Sequence, residues 1–162
     1  MKSNLESKLA QVAEETFASM AFLLPPEEEE PVEDDGSCRA SASIDFSGPF
    51  RGSLLLSVSR SMLPILTGNI LGSEQGGATS PEEQQDALKE VLNVICGNLL
   101  PLIATREDVF HVHQPRLVSN DDVAAFSARG ATEATARLQL ACGRVELLLG
   151  IDRPVEVGQA RK

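Results

Sequence analysis

The 162-residue sequence contains no tryptophan and no tyrosine. Of the three residue types Phe, Trp and Tyr, it has only phenylalanine, at six positions. Proteins that bind single-stranded nucleic acids commonly stack the bases on aromatic side chains. The shortage of aromatics therefore argues against a base-stacking surface. Hydrophobic residues still make up 42 % of the chain, which is enough for a single domain with a core of Leu, Val, Ile, Ala and Phe.

Cysteine is also scarce, and its pattern excludes two classes of small protein. The chain has three cysteines, Cys38, Cys96 and Cys142, with no C-x-x-C spacing. An odd number without paired spacing indicates neither a disulfide framework nor a structural zinc site. The residues at positions 1–6 form no apolar leader, and no run approaches the roughly 18 apolar residues needed to span a bilayer. We expect a cytoplasmic protein with no membrane segment.

Positive charge is in deficit, with 14 Lys and Arg against 24 Asp and Glu, giving a formal net charge of -10. Much of the negative charge lies in the run from Glu27 to Asp35, which would repel a phosphate backbone. We therefore expect no nucleic-acid partner. The same run is broken by Pro31 and has little to bury, so residues 25–37 are predicted to form a solvated acidic loop.

Several common catalytic patterns are missing. There is no P-loop, no G-x-G-x-x-G and no G-x-S-x-G, so nucleotide-binding and serine-hydrolase functions have no support. His111 and His113 would share one face of a strand, which is the minimum for a metal pair, but no third ligand is in register. We expect ordinary strand residues there and no bound metal. Cys96 is predicted to be a buried structural thiol.

Hydrophobic periodicity and turn residues divide the chain into helices and strands. The predicted order is a helix over 4–24, a hairpin over 40–58, a short helix over 61–71, a long helix from Pro81, short strands over 109–113 and around 117–118, a turn over 119–122, a hairpin over 134–151, and a flexible tail over about 156–162. This order predicts one domain over 1–162 of the α/β class in its broad sense, or α+β. The sheet would be mixed or mostly antiparallel, built from hairpins and packed against two long helices.

The long helix has the clearest start in the chain. Ser80 fits the N-cap position, Pro81 the first helical position and Glu83 the third, which together form a capping box. At 100° per residue, the apolar side chains that follow fall in an arc about 120° wide that would pack on the sheet. They are Leu88, Val91, Leu92, Ile95, Leu99, Leu102 and Ile103.

A polar face lies almost opposite this apolar arc. It carries Asp86, Glu90, Asn93 and Gly97, whereas Asn98 is predicted to lie at the edge of the core arc in a structural role. Glycine inside a helix costs about 1 kcal/mol relative to alanine, so Gly97 requires an explanation. Either a partner approaches closely at this point or a neighbouring helix packs there.

The pattern Glu90-x-x-Asn93-x-x-x-Gly97-Asn98 on the longest helix resembles the CheC/CheX family of chemotaxis phosphatases. The surrounding elements match as well, from the first helix to about Ile151. Because the chain has only one E-x-x-N pattern, it is more similar to the CheX branch than to the CheC branch, whose members commonly carry two. The resemblance implies a CheC-like fold.

The resemblance also implies a function and a partner. Members of the family hydrolyse the aspartyl phosphate of a CheY-like response regulator, which itself supplies Mg²⁺, so this chain would bind no cofactor. Asn93 would orient the attacking water, Glu90 would dock to the lysine of the regulator, and Asp86 and Gly97 would contact the partner. A homodimer formed through edge strands is implied too. The alternative is a non-catalytic domain that binds a response regulator or serves as a dimeric adaptor.

Overall fold

The computed structural model describes residues 2–21, 23, 39–72, 80–104, 109–128, 132–140 and 143–152. The predicted acidic loop at 25–37 and the predicted tail at 156–162 lie outside the described residues, as do Cys38 and Cys142. The elements are α1 (Lys2–Ala21), β1 (Arg39–Ser47), β2 (Arg51–Ser59), a 3₁₀ turn (Arg60–Met62), α2 (Leu63–Leu71), α3 (Pro81–Ile103), β3 (His111–Val112), β4 (Arg116–Val118), α4 (Asn120–Ala128), β5 (Thr132–Leu140) and β6 (Gly143–Asp152).

The six described strands form one antiparallel sheet in the order β3-β1-β2-β6-β5, and β4 also pairs with β1. The two predicted hairpins are confirmed as β1–β2 and β5–β6, and they join through β2 and β6 at the centre. The predicted α+β class with a mostly antiparallel sheet is therefore confirmed. The remaining two strands, β3 and β4, both pair with the edge of β1 that β2 does not occupy, and they face α3.

The main core lies between one face of the sheet and the helices α1, α2 and α3. The register brings apolar residues together on this face, for example Ala42 opposite Leu56 and Leu54 opposite Leu149. From α1, Leu9 and Phe17 are fully buried against it. Alternation along each strand directs one side of the sheet to the core, so the helix–sheet contact fixes which side of α3 remains exposed.

The start of α3 is as predicted. The Glu83 backbone N–H donates to Ser80 Oγ at 3.1 Å, and the Ser80 backbone N–H donates to Glu83 Oε1 at 2.9 Å. The end of the helix differs, because Leu102 is 46 % exposed although the helical wheel predicts burial. Leu102 lies in the last turn, where neighbouring elements no longer cover it, and its carbonyl accepts a hydrogen bond from Lys8 Nζ at 3.0 Å.

The opposite face of the sheet is largely polar. Ser41 and Ser57 face each other on neighbouring strands, with their hydroxyl oxygens 2.7 Å apart. A small apolar cluster lies beside them, in which Phe126 of α4 packs on Leu55 and Leu148. Helix α4 thus lies on the side of the sheet opposite to α1 and α3, and the molecule has three layers.

The predicted turn at 119–122 is wrong, since these residues begin α4. The Asp122 backbone N–H donates to Ser119 Oγ at 3.1 Å, and the Ser119 backbone N–H donates to Asp122 Oδ2 at 3.0 Å. This is the reciprocal arrangement of a capping box, with Asp in place of Glu. Ser, Asn and Asp favour turns and helix N-termini for the same reason, since their side chains bond to nearby backbone groups.

Candidate functional site

The exposed face of α3 carries the residues predicted for the site. Asp86, Glu90, Asn93 and Gly97 are all exposed. The helix is held down on its other side by side chains that are at most 5 % exposed. These are Ala87, Leu88, Val91, Leu92, Ile95, Cys96, Leu99 and Leu100. The carboxylate of Glu90 and the amide of Asn93 are therefore presented to solvent by a helix whose position the core fixes.

A groove of about 410 Å³ runs beside this face. One wall is α3, and the other is the segment that joins β3 to β4. The lining residues are Asp86, Lys89, Glu90 and Asn93 on α3, and Val112, His113, Gln114 and Pro115 on the opposite wall. The candidate site is thus a cleft with two sides, and a docking partner could contact both of them.

The second wall is anchored to the sheet through Asp45 of β1. Its backbone carbonyl accepts from the His113 backbone N–H at 2.9 Å, and its carboxylate accepts from Ser53 Oγ at 2.6 Å and from Arg116 Nη1 at 3.0 Å. Partial burial alone would raise the pKa of Asp45, but the hydrogen bonds from Ser53 and Arg116 and the nearby positive charges outweigh burial and lower it. Asp45 therefore stays ionised and holds both ends of the β3–β4 connection.

The approach to β3 is fixed by packing as well. Phe110 contacts Phe46 and Phe50 in edge-to-face geometry, with ring centroids 5.8 and 5.1 Å away. At the β1–β2 turn, a Cβ on Gly48 would lie 2.7 Å from the Val109 carbonyl oxygen, so only glycine leaves room for the chain at this point. These contacts fix where the chain enters β3.

Gly97 lies one turn beyond Asn93, and its surroundings distinguish the two explanations for it. A Cβ built at Gly97 meets no atom within 4 Å in the described part of the chain. Packing against a described neighbour therefore does not account for this glycine. Asn98 is also exposed, so its predicted place at the edge of the core is wrong. It lies about 140° around the helix from Asn93, on a flank that no described element covers.

Of the two carboxylates that line the groove on α3, Asp86 has a cation partner and Glu90 has none in the described ranges. Lys89 Nζ lies 3.8 Å from Asp86 Oδ1, and the Asp86 side chain is 79 % exposed. Glu90 makes no ion pair within the described ranges.

Cys96 belongs to the core and not to the groove. The side chain is buried, and burial raises the pKa of its thiol to about 12. A thiol that stays protonated is neither a nucleophile nor a metal ligand near neutral pH. The predicted structural role of Cys96 is confirmed.

Sequence reasoning missed the second wall of the groove. The sequence pattern predicts ordinary strand residues at His111 and His113, whereas His113 lines the groove with Gln114 and Pro115. The two imidazole rings contact each other at a centroid distance of 5.5 Å. In the described ranges, no third His, Cys, Asp or Glu joins them in a cluster suited to a metal ion. The signal available in the sequence is the closeness of the two histidines to the Gln114-Pro115 pair.

Among helices in the described ranges, none has the length and apolar character needed to cross a membrane. Residues 40–137, more than half of the chain, match the model of the family described as chemotaxis phosphatase CheX. No curated protein matches the sequence.

Solved structures share the fold at low sequence identity. A CheX chemotaxis protein from Desulfovibrio desulfuricans has a TM-score of 0.65 at 13 % identity, covering 92 % of this chain and 99 % of its own. CheX from Vibrio vulnificus has a TM-score of 0.62 at 16 % identity, with 94 % and 99 % covered. A Borrelia burgdorferi structure of CheX with CheY, BeF₃ and Mg²⁺ has a TM-score of 0.61 at 16 % identity, with 91 % and 97 % covered.

Proposed function

This chain belongs to the CheX family of chemotaxis phosphatases, and we propose that it hydrolyses the aspartyl phosphate of a CheY-like response regulator. The observation that carries the proposal is the placement of Glu90 and Asn93 on the exposed face of α3, inside an open groove. The Borrelia burgdorferi CheX was crystallised with CheY, BeF₃ and Mg²⁺, which supports a receiver domain as the partner. The proposed location of the reaction is the cytoplasm.

Asn93 is the residue proposed to act on the reacting water. Its side-chain carbonyl accepts a hydrogen bond from the water, while its NH₂ group can donate to a phosphoryl oxygen. The water oxygen attacks phosphorus, the bond from phosphorus to the aspartyl oxygen breaks, and the regulator recovers its carboxylate as inorganic phosphate leaves. Phosphoryl transfer depends mainly on positioning and charge stabilisation, so one amide fixed on a rigid helix is a sufficient contribution.

Glu90 is proposed to dock the partner rather than to act on phosphorus. A carboxylate near the phosphoryl group would repel it, but the same carboxylate can pair with a lysine of the regulator. Glu90 has no cation partner among the described residues. Asp86 and Gly97 extend this contact surface along α3, one on either side of the pair. Mg²⁺ would be held by the carboxylates of the regulator and not by this chain.

The second candidate function is that of a non-catalytic adaptor. The exposed groove and the open space at Gly97 also suit a domain that binds a receiver without dephosphorylating it. The adaptor would protect the phosphorylated state or leave its lifetime unchanged, whereas the phosphatase would shorten that lifetime.

Phosphate release distinguishes the two functions. A CheY-like receiver is phosphorylated with acetyl phosphate in the presence of Mg²⁺, the donor is removed, and inorganic phosphate is followed with and without this protein at a catalytic ratio. The phosphatase proposal predicts many turnovers per molecule of added protein. Release at the intrinsic rate of the receiver, despite measurable binding, would establish the adaptor instead.

A further inference from the structure

The β3–β4 side of the groove has a chemical character that the E-x-x-N face does not share. The chain contains only two histidines, His111 and His113, and both lie in this segment. Histidine is the side chain whose ordinary pKa of about 6.5 lies closest to neutral pH. In a protein with a net charge of -10, both histidines thus lie on the β3–β4 side, and His113 lines the groove.

His113 is held firmly at its backbone but its side chain is exposed. The backbone N–H donates to the Asp45 carbonyl at 2.9 Å, and the ring contacts His111. The Asp45 carboxylate is occupied by Ser53 and Arg116. No hydrogen bond joins the His113 imidazole to any other residue that the structure describes, so its nitrogens are available to a partner.

We propose that His113 is a further partner-binding residue, donating a hydrogen bond to an anionic oxygen of the phosphorylation site of the regulator while Glu90 and Asn93 engage that site from α3. This proposal rests on the proposed function. A site that binds Mg²⁺ is built from carboxylates, and the phosphoryl group adds further negative charge. The wall that carries His113 is therefore complementary to the rim of such a site, whereas the carboxylates of α3 suit its lysine.

The inference makes association depend on pH, because imidazolium binds an anion more strongly than neutral imidazole does. The charged and titratable groups around His113 come from four elements. They are Asp45 on β1, His111 on β3, Arg116 on β4, and Asp86, Lys89 and Glu90 on α3. Within this set Asp45 pairs with Arg116 and Asp86 pairs with Lys89.

The test is the affinity for one receiver loaded with Mg²⁺ and beryllofluoride, measured at about pH 6 and about pH 8 for wild type, His113→Ala and His111→Ala. We expect His113→Ala to weaken binding about fivefold at the lower pH and much less at the higher one. His111→Ala removes the ring that contacts His113 but no residue that lines the groove, so its effect should be smaller than that of His113→Ala. Using the same receiver throughout removes the receiver's own titration from the comparison.

Repeating the measurement without beryllofluoride identifies the oxygen that is bound. A loss of affinity in His113→Ala that appears only with beryllofluoride assigns the contact to a phosphoryl oxygen, and a loss in both states assigns it to a carboxylate. Equal pH dependence in His113→Ala and wild type overturns the inference, as does an equal loss in both histidine variants. If phosphatase activity persists and still depends on Asn93, that failure concerns His113 alone and leaves the proposed function intact.

Discussion

Glu90 and Asn93 differ in what their side chains can do next to a phosphoryl group. The amide of Asn93 is neutral and offers both a donor and an acceptor, while the carboxylate of Glu90 offers only acceptors and a negative charge. Both are exposed on the same face of α3. The proposed division of labour, with chemistry at Asn93 and docking at Glu90, is consistent with the two functional groups and their placement.

At the residue scale, Glu90→Ala should weaken association with a receiver carrying Mg²⁺ and beryllofluoride by about tenfold or more, as for other charged pairs shielded in an interface. The rate of phosphate release at saturating receiver should change little. Titration calorimetry together with steady-state turnover separates the two effects. Glu82→Ala is the matched control, because Glu82 is exposed on the same helix but does not line the groove. A fall in the saturated rate with unchanged affinity would contradict the docking role.

At the scale of elements, the sequence predicts α3 better than the segment facing it. The Ser80 capping box and the apolar arc determine where α3 begins and which side is buried, since both depend on local spacing. The Ser119 capping box uses the same local chemistry, but the Asn and Asp residues that follow it are also typical of a turn, so the sequence alone does not predict α4. The position of His113 depends on the pairing of β3 with β1, a contact between residues far apart in sequence, which spacing alone does not predict.

Gly97 connects the stability of α3 with its use as a surface. Gly97→Ala should raise the free energy of unfolding by about 1 kcal/mol, because alanine favours helix and the added methyl meets open space. The same methyl should weaken binding to the receiver, since it projects from the docking face. Chemical denaturation and calorimetry on one sample measure both quantities. Gain of stability with unchanged affinity would show that no partner approaches at Gly97.

At the scale of the whole molecule, the two edges of the sheet differ in what lies beside them. The edge formed by β3 and β4 borders the groove, and the opposite edge is β5, which has nine residues. Free strand edges favour pairing with a second chain. We propose that a homodimer forms through β5, which would leave the groove accessible. The Thr135 backbone N–H on β5 already donates a hydrogen bond to Glu6 Oε2 at 3.3 Å. Pairing of β5 with a second chain would therefore use the other backbone groups of this strand.

Light scattering coupled to size-exclusion chromatography tests this arrangement. The proposed dimer should have about twice the mass of the 17.3 kDa chain across a wide range of loading concentrations. Gln139→Pro, near the end of β5, should shift the population towards the single chain, because proline cannot donate a backbone hydrogen bond. A mass of one chain at every concentration would contradict the dimer without affecting the phosphatase proposal.

The central claim is that Asn93 orients the attacking water. It is tested most directly by the rate of phosphate release from an acetyl-phosphate-labelled receiver in the presence of saturating wild type, Asn93→Ala or Asn98→Ala. The two variants remove the same group from the same helix, and both positions are exposed. We predict that Asn93→Ala lowers the rate by about 100-fold while Asn98→Ala stays close to wild type. An Asn93→Ala variant as fast as wild type would contradict the account.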